Sequence, residues 1–319
     1  EDSDGANAGD LTAAPVTSAT SRAFPVFSPA VGEFPKPNDL LIQRDNSATT
    51  EIEQSDGSYA IPGSDASDAT PPIVALENLS GASITAPIDI EIGGSGSVDE
   101  STLDARSFII AGSSVIPNPN QSVFLIELEY ASGSPLTALA IKDKPTATNG
   151  ILAAQAAGGD TAAGQALLSM ATNPKYDAKV ITLTKSDNTE ATYIRINPLQ
   201  PLNPNKRYVV VLTDDIKDTN GDSLVRNPGV ASYAALSDPN IPLANPALGP
   251  VRELINDFWE TVAAGYFAGL TNLARPAETK LDSDNIAFSM SLTTSNDTKV
   301  VDYMVEPNTW ITDTLESKV

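Results

Sequence analysis

Leu202, Pro204 and Tyr208 stand at relative positions 0, +2 and +6, and Tyr208 opens the run Tyr-Val-Val-Val-Leu at 208–212. This is the pattern of a tyrosine corner, in which the phenol oxygen bonds a backbone group upstream and pins the chain where it crosses between two sheets. A corner of this kind requires two facing sheets, so no other local feature narrows the fold as far. One such bond predicts a loss of about 1 kcal/mol for Tyr208→Phe.

Strand-like text surrounds the corner. Ile88, Ile90 and Ile92 alternate with Asp89 and Glu91, a period of two that turns isoleucine inward and acid toward water. Further strands are expected at Ser107–Ala111, Val123–Tyr130, Lys179–Leu183, Ala191–Ile196, Tyr208–Thr213 and Ile286–Thr294. Short strands separated by turn-rich spacers predict a mainly β chain, an antiparallel β-sandwich.

Two stretches depart from that pattern. Residues 150–172 are alanine-rich around Gly158-Gly159, which predicts two short helical pieces. Over 249–273 the residues Val251, Leu254, Ile255, Phe258, Trp259, Val262 and Tyr266 recur at helical spacing, with Pro250 suited to a first turn. A stripe this wide must be buried, either on the sandwich of its own domain or against another domain or an apolar ligand.

Ahead of the strands lie an acidic, small-residue stretch at 1–23, with the composition of a flexible tether, and an extended arm with an acidic loop at 24–71. Pro25, Pro29, Pro35 and Pro37 forbid a helix in the arm, and Phe24, Phe27 and Phe34 are its expected anchors. The sandwich itself is expected over 72–294, and 295–319 reads as a linker. A tether of this kind suits an exported lipoprotein just past its lipidated cysteine; an ordinary frayed terminus explains the same text.

Composition removes whole classes of chemistry. The 319 residues hold no histidine and no cysteine, so this chain has no Ser-His-Asp triad, no cysteine nucleophile and none of the zinc, haem or iron–sulfur sites built on those residues. Gly93-Gly94-Ser95-Gly96-Ser97 lacks the closing glycine of a nucleophile elbow and reads as a turn. Catalytic residues are therefore not expected. Forty-one acidic against nineteen basic side chains give a net charge of -22, which repels nucleic acid and anionic lipid headgroups. With that many acids, a glycosidase-like carboxylate pair at about 5 to 10 Å would arise by chance and carries no argument. One acidic cluster has spacing: Asp214, Asp218, Asn220 and Asp222, with Asp215 beside them, place oxygen ligands at near-alternate positions around Gly221, as at the start of a calcium loop. The downstream bidentate glutamate is missing, and a turn without an ion is the competing expectation.

Taken in order, IDIEIGGSGSVDESTLDARSFII, INPLQPLNPNKRYVVVLTDDIKDTNGDSL and FSMSLTT resemble a bacterial Ig-like domain. That resemblance implies an Ig-like sandwich with helical insertions near 150–172 and 249–273. The arm FSPAVGEFPKPNDLL at Phe27–Leu41, followed by such a sandwich, resembles the N-terminal region of extracellular and surface-lipoprotein lipases of Gram-negative bacteria, the virulence-factor lipase N-terminal family. The likeness spans roughly residues 24–300, and Pro37–Leu40 is its most specific piece. It implies a non-catalytic region whose partner is a C-terminal catalytic domain of the same polypeptide, a serine lipase or esterase, on a protein that is secreted or held at the cell surface by an N-terminal lipid anchor. Nothing of the catalytic domain itself is matched. A free-standing adhesion or ligand-binding sandwich, and a purely structural spacer, are the alternatives.

Overall fold

The computed structural model describes residues 22–41, 81–112, 114–130, 139–141, 162–204 and 206–295, with Val305 and Asn308 helical. The tether before residue 22, the loop at 42–71, the first alanine-rich piece at 150–161 and nearly all of the tail lie outside the described residues. Ten strands are described: β1 Phe24–Pro25, β2 Ile88–Gly93, β3 Phe108–Ala111, β4 Ser114–Pro117, β5 Val123–Tyr130, β6 Leu139–Ile141, β7 Tyr176–Thr184, β8 Glu190–Pro198, β9 Arg207–Thr213 and β10 Ile286–Thr293.

They form two four-stranded sheets, in the orders β1-β2-β8-β7 and β10-β9-β5-β6, and the hairpin β3-β4; every strand pairing is antiparallel. In the first sheet the alternation works as the sequence predicts: Ile88, Ile90, Ile194 and Ile196 are buried. The acids on the wet face are not simply solvated. Register sets Asp89 opposite Arg195, and the guanidinium makes two 2.7 Å bonds to the carboxylate, while Glu91 takes Lys185.

The second sheet is buried on both faces, which is why VFLIELEY, RYVVVLT and IAFSMSLT carry so few exposed positions. Val123, Leu125 and Glu127 share one face with Leu212, Val210 and Tyr208, toward the first sheet. Phe124 lies on the other face, where its ring meets Tyr266 at 6.0 Å and Phe267 at 5.0 Å. The molecule is thus three layers deep: sheet, central sheet, helices.

Helix α1 Ala162–Thr172 packs on the β3-β4 hairpin; the helical layer is α2 Tyr233–Ser237, α3 Gly249–Glu253 and α4 Glu260–Gly269, with the π-helical turn Leu254–Trp259 joining α3 to α4. The stripe read from sequence is buried where expected, on the chain's own core: Ile255, Phe258, Trp259 and Tyr266 fully, Val251, Leu254 and Val262 in part. What the spacing did not show is the wider turn, closed by Glu260 N–H on Ile255 O, which sets the adjacent Phe258 and Trp259 both against the sheet.

The arm contributes more than aromatic anchors. Phe24 and Pro25 pair with Gly93 and Ile92 as an edge strand of the first sheet. The chain then passes around the β10 edge of the central sheet: Phe27 is fully buried against Phe288, Asn38 donates to Met290 Sδ, and Asp39 accepts from Ser291 on the helix side. An open edge strand invites pairing with foreign chains, and the arm covers this one.

Candidate functional site

Around the corner the sequence pattern is fulfilled and extended. Asn203 N–H donates to the Tyr208 hydroxyl at 2.9 Å, the upstream backbone bond of a tyrosine corner. Tyr208 in turn donates to Glu127 Oε2 at 3.1 Å, and Asn203 Nδ2 lies 2.8 and 2.9 Å from the two Glu127 oxygens. Glu127, only 4% exposed, is a buried carboxylate held by the corner itself. The sequence marks it no more than any alternating glutamate in a strand, because its partners lie 76 and 81 residues away. Tyr208→Phe removes a neutral and a charge-assisted bond together. We expect a loss of about 2 to 3 kcal/mol in urea unfolding. A loss of about 1 kcal/mol or less would mean that only the backbone bond matters.

A cavity of about 220 Å³ opens beside this cluster, between the two sheets and the end of α1. Glu127 and Tyr208 lie along one side, and Ser107, Ser169, Asn173 and Gln200 contribute hydroxyl and amide groups. Tyr176 reaches across from the first sheet, its hydroxyl accepting from Leu125 N–H at 3.0 Å and Gln121 Nε2 at 3.3 Å.

The acidic cluster after β9 does not converge. Asp218 turns inward, its Oδ1 accepting from Asn220 N–H and Asp222 N–H at 2.9 Å each, while Oδ2 faces the backbone of Gly96. Asn220 and Asp222 are exposed. Asp214 points to Asn285 Nδ2, and burial raises its pKa above the ordinary carboxylate value. Asp215 pairs with Arg275 at 2.7 Å. These contacts make an Asx-stabilised turn, and among the described residues no three acidic side chains gather as a metal-holding group. Millimolar calcium is expected to leave the melting temperature unchanged if the turn works without an ion; a rise would place calcium in this loop.

Gly93-Gly94 serves the arm. A Cβ on Gly93 would fall 2.6 Å from the Phe24 ring, and one on Gly94 would fall 2.1 Å from the Arg22 carbonyl oxygen. The glycines of this elbow-like text therefore answer to the close approach of the chain at residues 22–24.

Beneath the helices runs a buried polar chain. Tyr233 donates to Glu260 Oε1 at 3.0 Å and lies 2.5 Å from Ser289 Oγ, and Arg226 stands 3.3 Å from the same Glu260 oxygen. Further along the sheet, Trp259 Nε1 donates to Ser291 Oγ, which donates to Asp39 Oδ2, and Arg207 pairs with that oxygen at 3.2 Å. Burial raises the pKa of Glu260, against the opposing pull of Arg226 and Tyr233, and pushes the Tyr233 phenol well above its usual value. For Glu260 the sign follows directly. As pH falls through the raised folded value toward the ordinary 4.5, the folded state takes up a proton before the unfolded state does, so this group's contribution to stability rises. Unfolding measured across that interval should therefore show a smaller gain on acidification in Glu260→Gln than in the parent. Identical slopes would exclude Glu260 as the titrating group.

The hydroxyl–carboxylate pairs beneath the helices are buried, and the cavity lies beside Glu127 and Tyr208 instead. Residues 156–234, a span that holds β7, β8 and β9 and thus strands of both sheets, match the family model described as a bacterial Ig-like domain. No curated protein and no solved structure matches the chain. With its antiparallel sheets, helical insertions and extended N-terminal arm, the chain folds as an Ig-like β-sandwich. Among the described residues no helix is long and apolar enough to cross a membrane.

Proposed function

We propose that this chain is the non-catalytic N-terminal region of an exported bacterial lipase or esterase, and that it positions a catalytic domain of the same polypeptide, either at the cell surface or in a secreted protein. The observation that carries this is the union of arm and sandwich. The segment that resembles the lipase family, Phe27–Leu41, wraps the β10 edge through Phe27, Asn38 and Asp39. Arm and Ig-like domain thus form one unit, which supports the reading. The lack of histidine supports the non-catalytic role, since a serine without an imidazole partner has no general base of that kind.

Assay of the purified chain with short-chain nitrophenyl esters should give no turnover above background. Turnover that survives repurification would overturn the non-catalytic reading. The reading frame that encodes the chain should specify a downstream G-x-S-x-G followed by Asp and His. A frame without them favours the second reading, a surface adhesion or ligand-binding sandwich, for which the cavity beside Glu127 is the supporting observation.

A further inference from the structure

We propose that the cavity beside the tyrosine corner binds one neutral, polyhydroxylated ring of monosaccharide size. At about 220 Å³ it is smaller than the roughly 300–1,000 Å³ of pockets for drug-sized ligands, so it holds a single ring and not a chain. Its lining carries one carboxylate, Glu127, and one ammonium, Lys175, the latter exposed. With one charge of each sign, the lining selects neither an anion nor a cation. The remaining polar groups, on Ser107, Ser169, Asn173 and Gln200, are hydroxyls and amides that both donate and accept, which is what successive ring hydroxyls require. Met170, Pro174, Pro201 and Leu202 supply the apolar surface that the C–H face of a sugar ring covers.

Pre-organisation favours the same ligand class. Glu127, Asn203 and Tyr208 are fixed by their mutual bonds, so the polar wall of the cavity keeps its shape before a ligand arrives. The stretch from Ala162 to Pro174 holds no charged side chain, on a chain of net charge -22. The site is independent of the lipase reading and stands or falls separately from it.

The test titrates the whole chain with D-glucose, D-galactose and N-acetyl-D-glucosamine, with methylammonium chloride and sodium acetate as charged probes, followed by calorimetry and by nuclear magnetic resonance shifts. Ser169→Trp on α1 and Asn173→Trp just after it block the cavity from exposed positions, away from the core, and unchanged melting of either variant shows that it is folded. The expected result is saturable binding of at least one sugar, weakened about tenfold or more by each folded blocking variant, with neither charged probe bound at the same residues. Absence of binding by all three sugars overturns the proposal. So does sugar binding that both variants leave intact, and so does preferential binding of methylammonium or acetate in the cavity.

Discussion

Phe27→Ala will lower the unfolding free energy by about 3 to 5 kcal/mol, the range for truncating a fully buried phenylalanine. The ring is completely buried and lies 5.6 to 6.4 Å from four other rings: Tyr233 and Phe288 at 5.6 Å, Trp259 at 6.3 Å and Phe34 at 6.4 Å. Those neighbours belong to three elements, α2, the π-helical turn and β10, besides the arm itself. Each is held by its own backbone bonds, so they cannot close together on the space that the ring leaves. A local collapse would give a smaller loss, and the hydrogen bonds between Ser289 and Tyr233 and from Trp259 to Ser291 oppose it. Urea unfolding measures the loss, and limited proteolysis should show faster cleavage between residues 22 and 41. A loss under about 1 kcal/mol, as for an ordinary surface substitution, would mean that the arm only rests on the sandwich.

The second large effect is expected at Gly94. Its φ of +89° already disfavours a side chain, and a Cβ there would sit 2.1 Å from the Arg22 carbonyl oxygen, a backbone atom that cannot swing aside. Gly112 has a comparable φ of +62° but nothing within 4 Å of its Cβ position. Gly112→Ala should therefore cost about 1 to 2 kcal/mol, the left-handed backbone penalty alone. Gly94→Ala adds displacement of residues 22–24 and loss of the β1–β2 pairing, and should cost about 2 kcal/mol more. The pair is compared by equilibrium unfolding. Equal losses would show that the chain before Phe24 yields without penalty.

Much of the architecture was legible because it rests on local rules. The isoleucine alternation in β2, the apolar stripe of 249–273 and the corner at Leu202–Tyr208 each state their structure within a dozen residues. The order of the sheets did not show, since β1 is two residues long and its pairing with β2 depends on Gly93 and Gly94, which by themselves read as a turn. Strand β4 was missed because Gly112 and Pro117 bracket it like loop text. The third layer was visible only as a stripe in need of a surface; that the surface is the back of β5, β9 and β10 did not show, because the helix-facing positions of β10 include Ser289 and Ser291, which read as the wet face of a half-exposed strand. For the candidate site the limits were sharper. Acid spacing at 214–222 suggested convergence, but Asp214 turns to Asn285, Asp215 to Arg275 and Asp218 to the backbone of its own turn. Glu127 carried no local mark, since its role depends on Asn203 and Tyr208 across the sheet.

The closure of the arm also sets a timetable. Asn38 and Asp39 bond residues 252 positions later, so the arm cannot seat before the last strand exists. At roughly 5 to 20 residues per second, a ribosome needs on the order of ten to fifty seconds to make that stretch. For all of that time Phe24 and Phe27, the first large apolar residues of the described chain, have no finished surface to cover them. Closing so long a loop adds entropic cost only slowly with length, so the fold tolerates the delay at equilibrium. The kinetic burden is different: within the described fold, an early segment waits for the latest strand before it can seat.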